Sequence, residues 1–253
     1  PWNIRLFDIN KAWDYSQGEG VVVAVLDTGC DLEHEDLKEN LLNGYNFVDD
    51  NQTPQDVNGH GTHVAGTIAA CNNHKGMVGI APKAKIMPVK CLGNNGSGSA
   101  AWIAKGIKFA VDNGADIISM SLGMSGTSHA IARSLSYAKS KGCLVFCAAG
   151  NDGNHVDIQY PANSEDTISI GAIDKDLNVC NFSCSGDSLD FLAPGQDIIS
   201  CTPNNTYSKT SGTSMATPFA SGCAALLLSL VKKKFTIEEI VKEFAENALP
   251  LED

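Results

Sequence analysis

One serine of this chain stands where its hydroxyl could take part in a reaction. Ser214 precedes an apolar run, 219–231, that is rich in Ala and Leu and predicts a buried helix. The serine would then lie near the helix N-terminus, where unpaired N–H groups and the helix dipole favour negative charge. A hydroxyl there can act as a nucleophile, and nearby N–H groups can hold the oxyanion that its attack creates. It can equally well cap the helix.

Three further polar residues would complete that chemistry. Asp27 and Asn151 each directly follow an apolar run, and His60 stands in a Gly-rich turn before a helical stretch. Each has a plainer explanation, because Asp and Asn are common turn residues and a histidine can be packed in the core. Together with a serine they supply an acid, a base, a nucleophile and an oxyanion donor, the set that acyl transfer requires. The neighbouring His63 is interpreted as a packed histidine, since the zinc-protease pattern His-Glu-x-x-His is not met.

The segments that carry these residues alternate between strand-like and helix-like patterns. Apolar stripes at helical spacing run along 101–111 and 131–138. Runs rich in β-branched residues predict strands at 20–26, 86–91, 116–120, 143–148, 167–172 and 198–201. This alternation predicts an α/β fold with three layers, a mostly parallel central sheet with helices on both faces. Because sites in such sheets form beyond the carboxyl ends of the strands, we expect the four polar residues along one edge.

Length and composition favour a single domain. The chain has 253 residues, 43% of them hydrophobic and 19% charged, which is enough to bury a substantial core. We expect one domain over 1–253, with residues 1–19 as a polar, irregular arm on its surface. The sequence begins at Pro1 without a methionine or a signal-type apolar segment, so we expect a processed or trimmed chain.

Charge, hydropathy and cysteine usage exclude several classes of function. A net charge of −11 argues against nucleic acid or anionic lipid as a partner. We see no unbroken apolar run of the roughly 18 residues that a membrane span requires. The nine cysteines are an odd number and many stand in apolar surroundings, which indicates free thiols rather than a disulfide framework. We therefore expect a cytoplasmic protein.

Four blocks of the sequence resemble the signature segments of the subtilisin family of serine proteases. They occur in the order Asp, His, Ser that is typical of that family. The blocks are Asp27-Thr28-Gly29, His60-Gly61-Thr62-His63, Ala148-Ala149-Gly150-Asn151 and Gly212-Thr213-Ser214-Met215-Ala216-Thr217-Pro218. Further stretches, at 25–31, 116–123 and 248–251, are similar to the intracellular branch of the family.

The resemblance implies a serine endopeptidase that hydrolyses peptide bonds in proteins through an acyl-enzyme. Ser214 would attack the scissile carbonyl, His60 would move the proton, and Asp27 would orient the imidazole. The Asn151 amide and the Ser214 N–H would hold the oxyanion. Two alternatives remain open: a peptide ligase or macrocyclase that uses the same acyl-enzyme, and an inactive peptide-binding scaffold.

The resemblance also implies where a substrate would lie. An extended peptide would add as a strand between two stretches, Gly96-Ser97-Gly98 and Ser121-Leu122-Gly123, which are otherwise surface turns. Ala148, Gly150 and Gln159 would surround the first side-chain pocket, and Gln159 would make it shorter or more polar than the Gly of many relatives. Ala100, where relatives often carry Tyr, would open a second apolar pocket, lined by Leu92, Ile103 and Leu122.

The resemblance also implies a short inhibitory propeptide ahead of Pro1, as in intracellular relatives. Calcium is a further implication of the resemblance. Residues 71–79 resemble the calcium loop of the family, and a hard cation prefers several oxygen ligands. The alternative is an ordinary Asn- and Gly-rich loop. The matching ligands are the side chains of Asp36 and Asn73 and the carbonyls of Cys71, Lys75 and Met77. A second, weaker cation site would use the carbonyls of Ala162, Ser164 and Thr167 with Asp190.

Overall fold

A parallel sheet forms the centre of the computed structural model, which describes residues 1–251. Its strands order as β2-β3-β1-β4-β5-β6-β7, and every neighbouring pair is parallel. Within the described residues these strands are β1 (Val22–Asp27), β2 (Tyr45–Asn46), β3 (Lys85–Lys90), β4 (Ile117–Met120), β5 (Leu144–Ala148), β6 (Ile168–Ile173) and β7 (Phe191–Pro194).

The strand β1 is the point from which the sheet grows in both directions. Val22 pairs with Lys85 of β3 on one side, and Val23 pairs with Ile117 of β4 on the other. Ligands of open α/β sheets bind beyond the carboxyl ends of the strands at such a switch point. Asp27 is the last residue of β1 and lies at this point.

Helices cover both faces of the sheet, which confirms the predicted three-layer α/β architecture. Val23 and Val25 face the layer of α3 and α6, while Ala24 and Leu26 face α4 and α5, as expected for a strand buried on both faces. The helices are α1 (Trp2–Leu6), α2 (Ile9–Ala12), α3 (His60–Ala69), α4 (Ala100–Asp112), α5 (His129–Ser140), α6 (Thr213–Val231) and α7 (Ile237–Asn247).

One predicted strand does not join the parallel sheet. The apolar run at 198–201 forms β8 (Ile198–Thr202), which pairs antiparallel with β9 (Thr206–Thr210) in a separate hairpin. The sequence pattern does not reveal β9, because its residues are polar and mostly exposed. Nor does it reveal β2, which has two residues, or β7, a half-buried edge strand that ends in proline. The hairpin leads directly into α6.

The N-terminal segment corrects another expectation. Instead of an irregular arm, residues 1–19 contain the short helices α1 and α2, which bury Ile4 and Ile9 in the core. The Phe7 ring packs edge-on against the Phe219 ring of α6, with centroids 5.4 Å apart. Neither helix has a side-chain cap, so packing rather than local sequence stabilises them.

The helix α6 is long and apolar enough to cross a bilayer by length and composition, with a mean hydropathy of 1.6. The expectation from unbroken apolar runs overlooked it, because serine and threonine residues interrupt its apolar stretch. In the structure 67% of that apolar window is buried, and α6 packs against the sheet. Such burial is typical of the core helix of a folded domain.

All nine cysteines carry free thiols. Eight are buried and Cys223 is half-buried, as predicted from their apolar surroundings. Burial raises the pKa of most of these thiols, that of Cys143 to about 12, so they are poor nucleophiles.

Candidate active site

Asp27 and His60 form a close pair at the carboxyl edge of the sheet. His60 is the first residue of α3, and its Nδ1 lies 2.7 Å from Oδ1 of Asp27. The Asp27 carboxylate is fully buried, while the imidazole keeps 29% of its surface exposed. The charge of Asp27 raises the pKa of His60, burial opposes that shift, and the hydrogen bond that the imidazolium donates to Asp27 adds to it. The imidazole is therefore oriented and made more basic while its other nitrogen stays available.

Ser214 is the second residue of α6, as the sequence predicts, and its position is fixed through Ser121. Pro218 has no N–H with which to bond the carbonyl of Ser214, four residues earlier in the helix. The Ser121 hydroxyl donates to that carbonyl instead, at 2.7 Å. The Ser214 hydroxyl donates to the Ser121 carbonyl at 3.5 Å, and in residues 1–251 it makes no hydrogen bond with His60. The structure thus pairs Asp27 with His60 but leaves the serine turned toward Ser121.

The side chain of Asn151 is held by Thr213. Its Oδ1 accepts hydrogen bonds from the Thr213 N–H at 2.8 Å and from the Thr213 hydroxyl at 3.0 Å. The same hydroxyl accepts a bond from the Gly150 N–H at 3.2 Å. These contacts fix the orientation of the amide and leave its NH₂ group free of partners in the described chain. Thr213 has a role that the sequence analysis missed, although it lies inside the Gly-Thr-Ser block.

A cavity of about 490 Å³ lies beside His60. Both stretches predicted as substrate walls border it, and so do the residues predicted for a second apolar pocket. Its lining includes Gly96, Ser97, Gly98, Ser121, Leu122 and Gly123, together with Leu92, Ala100 and Ile103. A larger cavity of about 810 Å³ lies elsewhere, between Tyr15 and the lysines 232–234, and contains none of the reactive residues. The position of His60 makes the smaller cavity the one relevant to chemistry.

Gln159 fills the space between the two backbone segments that flank the first pocket. Its side chain lies so close to both glycines that a Cβ on Gly123 would stand 2.4 Å from its Oε1, and one on Gly150 2.7 Å from its Cδ. The Gln159 amide donates to the Asp152 carboxylate, which holds it there. Ala148 ends β5 nearby and is buried. The first side-chain pocket, beside Ala148 and Gly150, is therefore shallow.

The residues predicted to bind calcium surround one buried carboxylate. Asp36 is fully buried, and its Oδ1 accepts a bond from the Asn73 amide at 2.9 Å. Its Oδ2 accepts bonds from the Met77 N–H at 3.1 Å and from the Tyr207 hydroxyl at 2.7 Å. The Cys71 N–H donates to the backbone carbonyl of Asp36 at 2.7 Å. Tyr207, on β9, was not predicted, because the contact joins distant parts of the sequence.

The donor types of this set suit a hard cation, and a bound cation would have to replace hydrogen bonds, because both Asp36 oxygens and the Cys71 carbonyl already accept N–H or O–H groups of the protein. The set offers a carboxylate, an amide and backbone carbonyls, and within the described residues no basic side chain forms an ion pair with Asp36. The Asn73 amide presents its nitrogen to Asp36, while its oxygen accepts the Lys75 N–H at 3.0 Å. Binding a cation would require this amide to turn.

The oxygens predicted for the second cation site already accept hydrogen bonds from the protein. The Thr167 hydroxyl donates to the carbonyls of Ala162 and Ser164, at 3.1 and 2.9 Å. Asp190 Oδ2 accepts bonds from Ser169, from its N–H at 2.8 Å and its hydroxyl at 3.2 Å. The second site remains a prediction without support from these contacts.

The chain combines a parallel α/β sheet, a hydrogen-bonded Asp27–His60 pair at the carboxyl end of β1, and Ser214 in the first turn of α6. This combination is typical of a hydrolytic enzyme of the α/β class. Residues 18–250 match the family model described as "Subtilase family". The chain belongs to the subtilase family, and it is a subtilisin-type serine endopeptidase.

Named relatives are similar over nearly the whole chain. An "Intracellular serine protease" of Paenibacillus polymyxa is 41% identical over 99% of this chain and 81% of its own length. The "Major intracellular serine protease" of Bacillus subtilis (strain 168) is 40% identical over 100% of this chain and 83% of its own. "Thermitase" of Thermoactinomyces vulgaris is 42% identical over 94% of this chain and 85% of its own.

Proposed function

We propose that this chain hydrolyses peptide bonds in proteins through an acyl-enzyme formed on Ser214. The observation that carries the proposal is the 2.7 Å contact between His60 and the buried Asp27 at the sheet edge where the serine helix begins. His60 Nε2 takes the proton of the Ser214 hydroxyl as the Oγ electron pair bonds the scissile carbonyl carbon. For this step the hydroxyl turns from the Ser121 carbonyl toward the imidazole, a contact that commonly tightens only with substrate bound.

The tetrahedral intermediate then collapses to the acyl-enzyme. The free NH₂ group of Asn151 and the Ser214 N–H donate to the oxyanion while the bond to the leaving nitrogen breaks. His60 gives its proton to the departing amine. A water molecule gives a proton to His60 as its oxygen attacks the acyl carbon, and the bond from that carbon to Ser214 Oγ then breaks. The Oγ takes the proton back from His60, which releases the acid product and restores the serine. Asp27 keeps the imidazole in the correct tautomer and stabilises its charged form.

The substrate would bind as an extended strand. The backbone at 96–98 and 121–123 borders the cavity beside His60 and can pair with the main chain of a peptide. Because Gln159 occupies the space between Gly123 and Gly150, we infer that the residue before the cleaved bond is small. The apolar residues around Ala100 would accept a larger side chain further along the substrate.

Several properties are inferred with the activity. A structural calcium ion would be held by Asp36, Asn73 and the carbonyls of Cys71, Lys75 and Met77, and it would stabilise the loop without entering the reaction. Two relatives are named intracellular, which together with the free thiols supports a cytoplasmic location. We further propose a single domain, regulation by an inhibitory propeptide, and no nucleic acid or membrane partner.

The activity is tested with Ser214→Ala and a serine-directed fluorophosphonate. We expect the wild-type chain to cleave a casein-type substrate and to bind the fluorophosphonate at Ser214. Ser214→Ala should do neither while keeping the wild-type melting temperature. A variant that retains full hydrolysis would contradict the proposal. Mass spectrometry of the products distinguishes hydrolysis from ligation, because a ligase would yield joined peptides.

A further inference from the structure

Asp56 is a buried carboxylate in the loop that leads into α3, with 1% of its surface exposed. Its Oδ1 accepts the Thr28 hydroxyl and the N–H groups of Asn58 and Gly59, each at 2.9 Å. Its Oδ2 accepts the Thr62 N–H at 3.0 Å and the Thr62 hydroxyl at 2.7 Å. Five donors from the end of β1, the loop and α3 therefore converge on one side chain.

This network supplies hydrogen-bond acceptors to the backbone N–H groups in the first turn of α3, the helix that begins at His60. The N-cap residue of α3 is a glycine, which offers no side-chain acceptor to the first turn. The Gly61 N–H donates to the Thr28 hydroxyl oxygen at 2.9 Å, and the Thr62 N–H donates to Asp56. The Asn58 amide oxygen in turn accepts the His60 N–H at 3.1 Å. Side chains of Thr28 and of the loop before the helix thus replace its cap. A carboxylate at this end is also favoured by the helix dipole.

The same network reaches the strand that carries the partner of His60. Thr28, which follows Asp27, donates its hydroxyl proton to Asp56 and accepts the Gly61 N–H. One carboxylate therefore ties the end of β1 to the start of α3. The 2.7 Å hydrogen bond between Asp27 and His60 joins the same two segments, the end of β1 and the start of α3.

The charge of Asp56 has no ion-pair partner in the described chain, so hydrogen bonds alone stabilise it. The charge of Asp27 raises the pKa of His60 most, burial opposes the rise, and the charge of Asp56 adds to it. Lys90 also lies near these residues, and its ammonium donates to the Gln55 carbonyl at 2.8 Å. The remaining ionisable groups nearby are His63, Asp31 and the thiols of Cys30 and Cys91, whose pKa values burial raises.

We propose that Asp56 is a positioning residue of the peptidase reaction, which holds His60 against Asp27 and favours the imidazolium that forms when Ser214 loses its proton. It contacts neither the substrate nor the reacting atoms. The inference rests on the proposed function, because the role of Asp56 is exerted through His60. A purely structural carboxylate would make the same hydrogen bonds, so the test needs a readout that stability alone does not change.

The first test is Asp56→Asn. In asparagine an NH₂ group replaces one of the two carboxylate oxygens of Asp56. The N–H groups that bond the replaced oxygen lose their acceptor, so the start of α3 shifts. We expect kcat/KM per active site to fall by about 10- to 100-fold, since small displacements of a catalytic base are costly. The acid limb of the pH profile should move to lower pH by about 0.5 unit, because a negative charge that favours the imidazolium is lost.

The matched control is Asp31→Asn. Asp31 is a buried carboxylate in the neighbouring loop, and its oxygens accept the N–H groups of Glu33 and Asn204. It does not bond the start of α3 through its side chain, so its substitution should leave the midpoint of the profile unchanged. Active sites are counted with a fluorophosphonate in each variant, which separates unfolded molecules from slow ones.

A second pair of variants tests the link to β1 without touching the carboxylate. Thr28→Val removes the hydroxyl between Asp56 and Gly61, and Thr28→Ser restores it. We expect kcat/KM to fall about 10-fold in the valine variant, the usual cost of a buried hydrogen bond, and to recover in the serine variant. A double variant with Asp56→Asn should lose less than the product of the two single losses.

The proposal is overturned if Asp56→Asn melts at a lower temperature but keeps the wild-type kcat/KM per site and the wild-type pH midpoint. The NMR titration of the His60 imidazole provides an independent measure of that midpoint. A wild-type chain that neither cleaves peptides nor binds the fluorophosphonate overturns the proposed function itself. An active wild type with an unaffected Asp56→Asn overturns only the role of Asp56.

Discussion

Thr213 fixes the amide of Asn151 with two hydrogen bonds, from its N–H at 2.8 Å and its hydroxyl at 3.0 Å. Both bonds end on the amide oxygen, so the NH₂ group is turned away from Thr213. Because Thr213 directly precedes Ser214 in α6, the residue that orients the proposed oxyanion donor shares one short backbone segment with the nucleophile. A preorganised donor of this kind costs no reorganisation when the oxyanion forms.

The first prediction concerns this pair. Asn151→Ala should lower kcat by about 10²–10³-fold with little change in KM, because the lost bond forms only in the transition state. Thr213→Val should lower kcat by about 3- to 10-fold, since it removes one of two bonds that orient the amide. Steady-state kinetics on a peptide amide measures both. A large rise in KM with normal kcat would contradict the oxyanion role.

The second prediction concerns pH. The reaction requires neutral His60, and Asp27 raises the pKa of His60, so kcat/KM should rise with pH through a midpoint above about 6.5. Asp27→Asn should move the midpoint down and reduce kcat by about 10⁴-fold. The pH profile of hydrolysis measures both effects. A flat profile from pH 5 to about 9 would exclude His60 as the base.

The same pair has an effect on stability with the opposite pH dependence. Since the pKa of His60 is higher in the folded than in the unfolded chain, its contribution to the free energy of unfolding is fully present below about pH 6.5. That contribution is lost as pH rises through the folded-state pKa. Denaturant unfolding of wild type and of a His60→Ala variant, compared across pH, measures it. An equal difference at all pH values would contradict the assignment.

The third prediction concerns substrate choice. Gln159→Gly should open the space between Gly123 and Gly150, and kcat/KM for peptides with Phe before the cleaved bond should rise at least about 10-fold relative to Ala. Gln159→Met preserves the length of the side chain without placing a second carboxylate beside Asp152, and it serves as the matched control. Profiling with a peptide library measures the ratio. An unchanged preference in the glycine variant would show that Gln159 does not limit the pocket.

The fourth prediction concerns calcium. A metal that binds only the folded state stabilises it, by about 2.7 kcal/mol at a concentration of 100 times Kd, so chelation should lower Tm. Asp36→Asn should lower Tm and remove the response to the chelator. Asp116→Asn is the control, because that carboxylate accepts the Val22 N–H at 2.9 Å and belongs to neither predicted cation site. A wild-type Tm that is equal with calcium and with chelator would contradict the site.

The sequence predicts those parts of the fold that local patterns determine. The buried strands of the central sheet and the start of α6 follow from apolar runs, and Asp27 lies at the strand end where the pattern predicts it. The apolar run at 198–201 is predicted as a strand of the mostly parallel sheet but pairs antiparallel with β9, since an apolar run does not indicate which strand it pairs with. The helices α1 and α2 depend on packing against distant residues.

The residues of the candidate site likewise fall into those that local sequence patterns predict and those that only the structure reveals. The reactive residues belong to recognisable blocks, whereas the residues that orient them act across long sequence separations. Asp56 reaches Thr28, and Tyr207 reaches Asp36, through hydrogen bonds for which neither local sequence gives a signal. The groups proposed to react therefore follow from local sequence patterns, whereas the residues that hold them become visible only in the structure.

The order of the strands has a consequence for how such an enzyme is made. Asp27 comes from an early strand and Ser214 from a helix near the end of the chain, and α6 packs under β4, β5, β6 and β7 at once. A ribosome that releases the chain from its N-terminus must therefore complete most of the sheet before the serine helix can dock. With the roles proposed above for His60 and Ser214, an unfinished chain carries the base without its nucleophile, and we expect it to cleave neither itself nor its neighbours during synthesis.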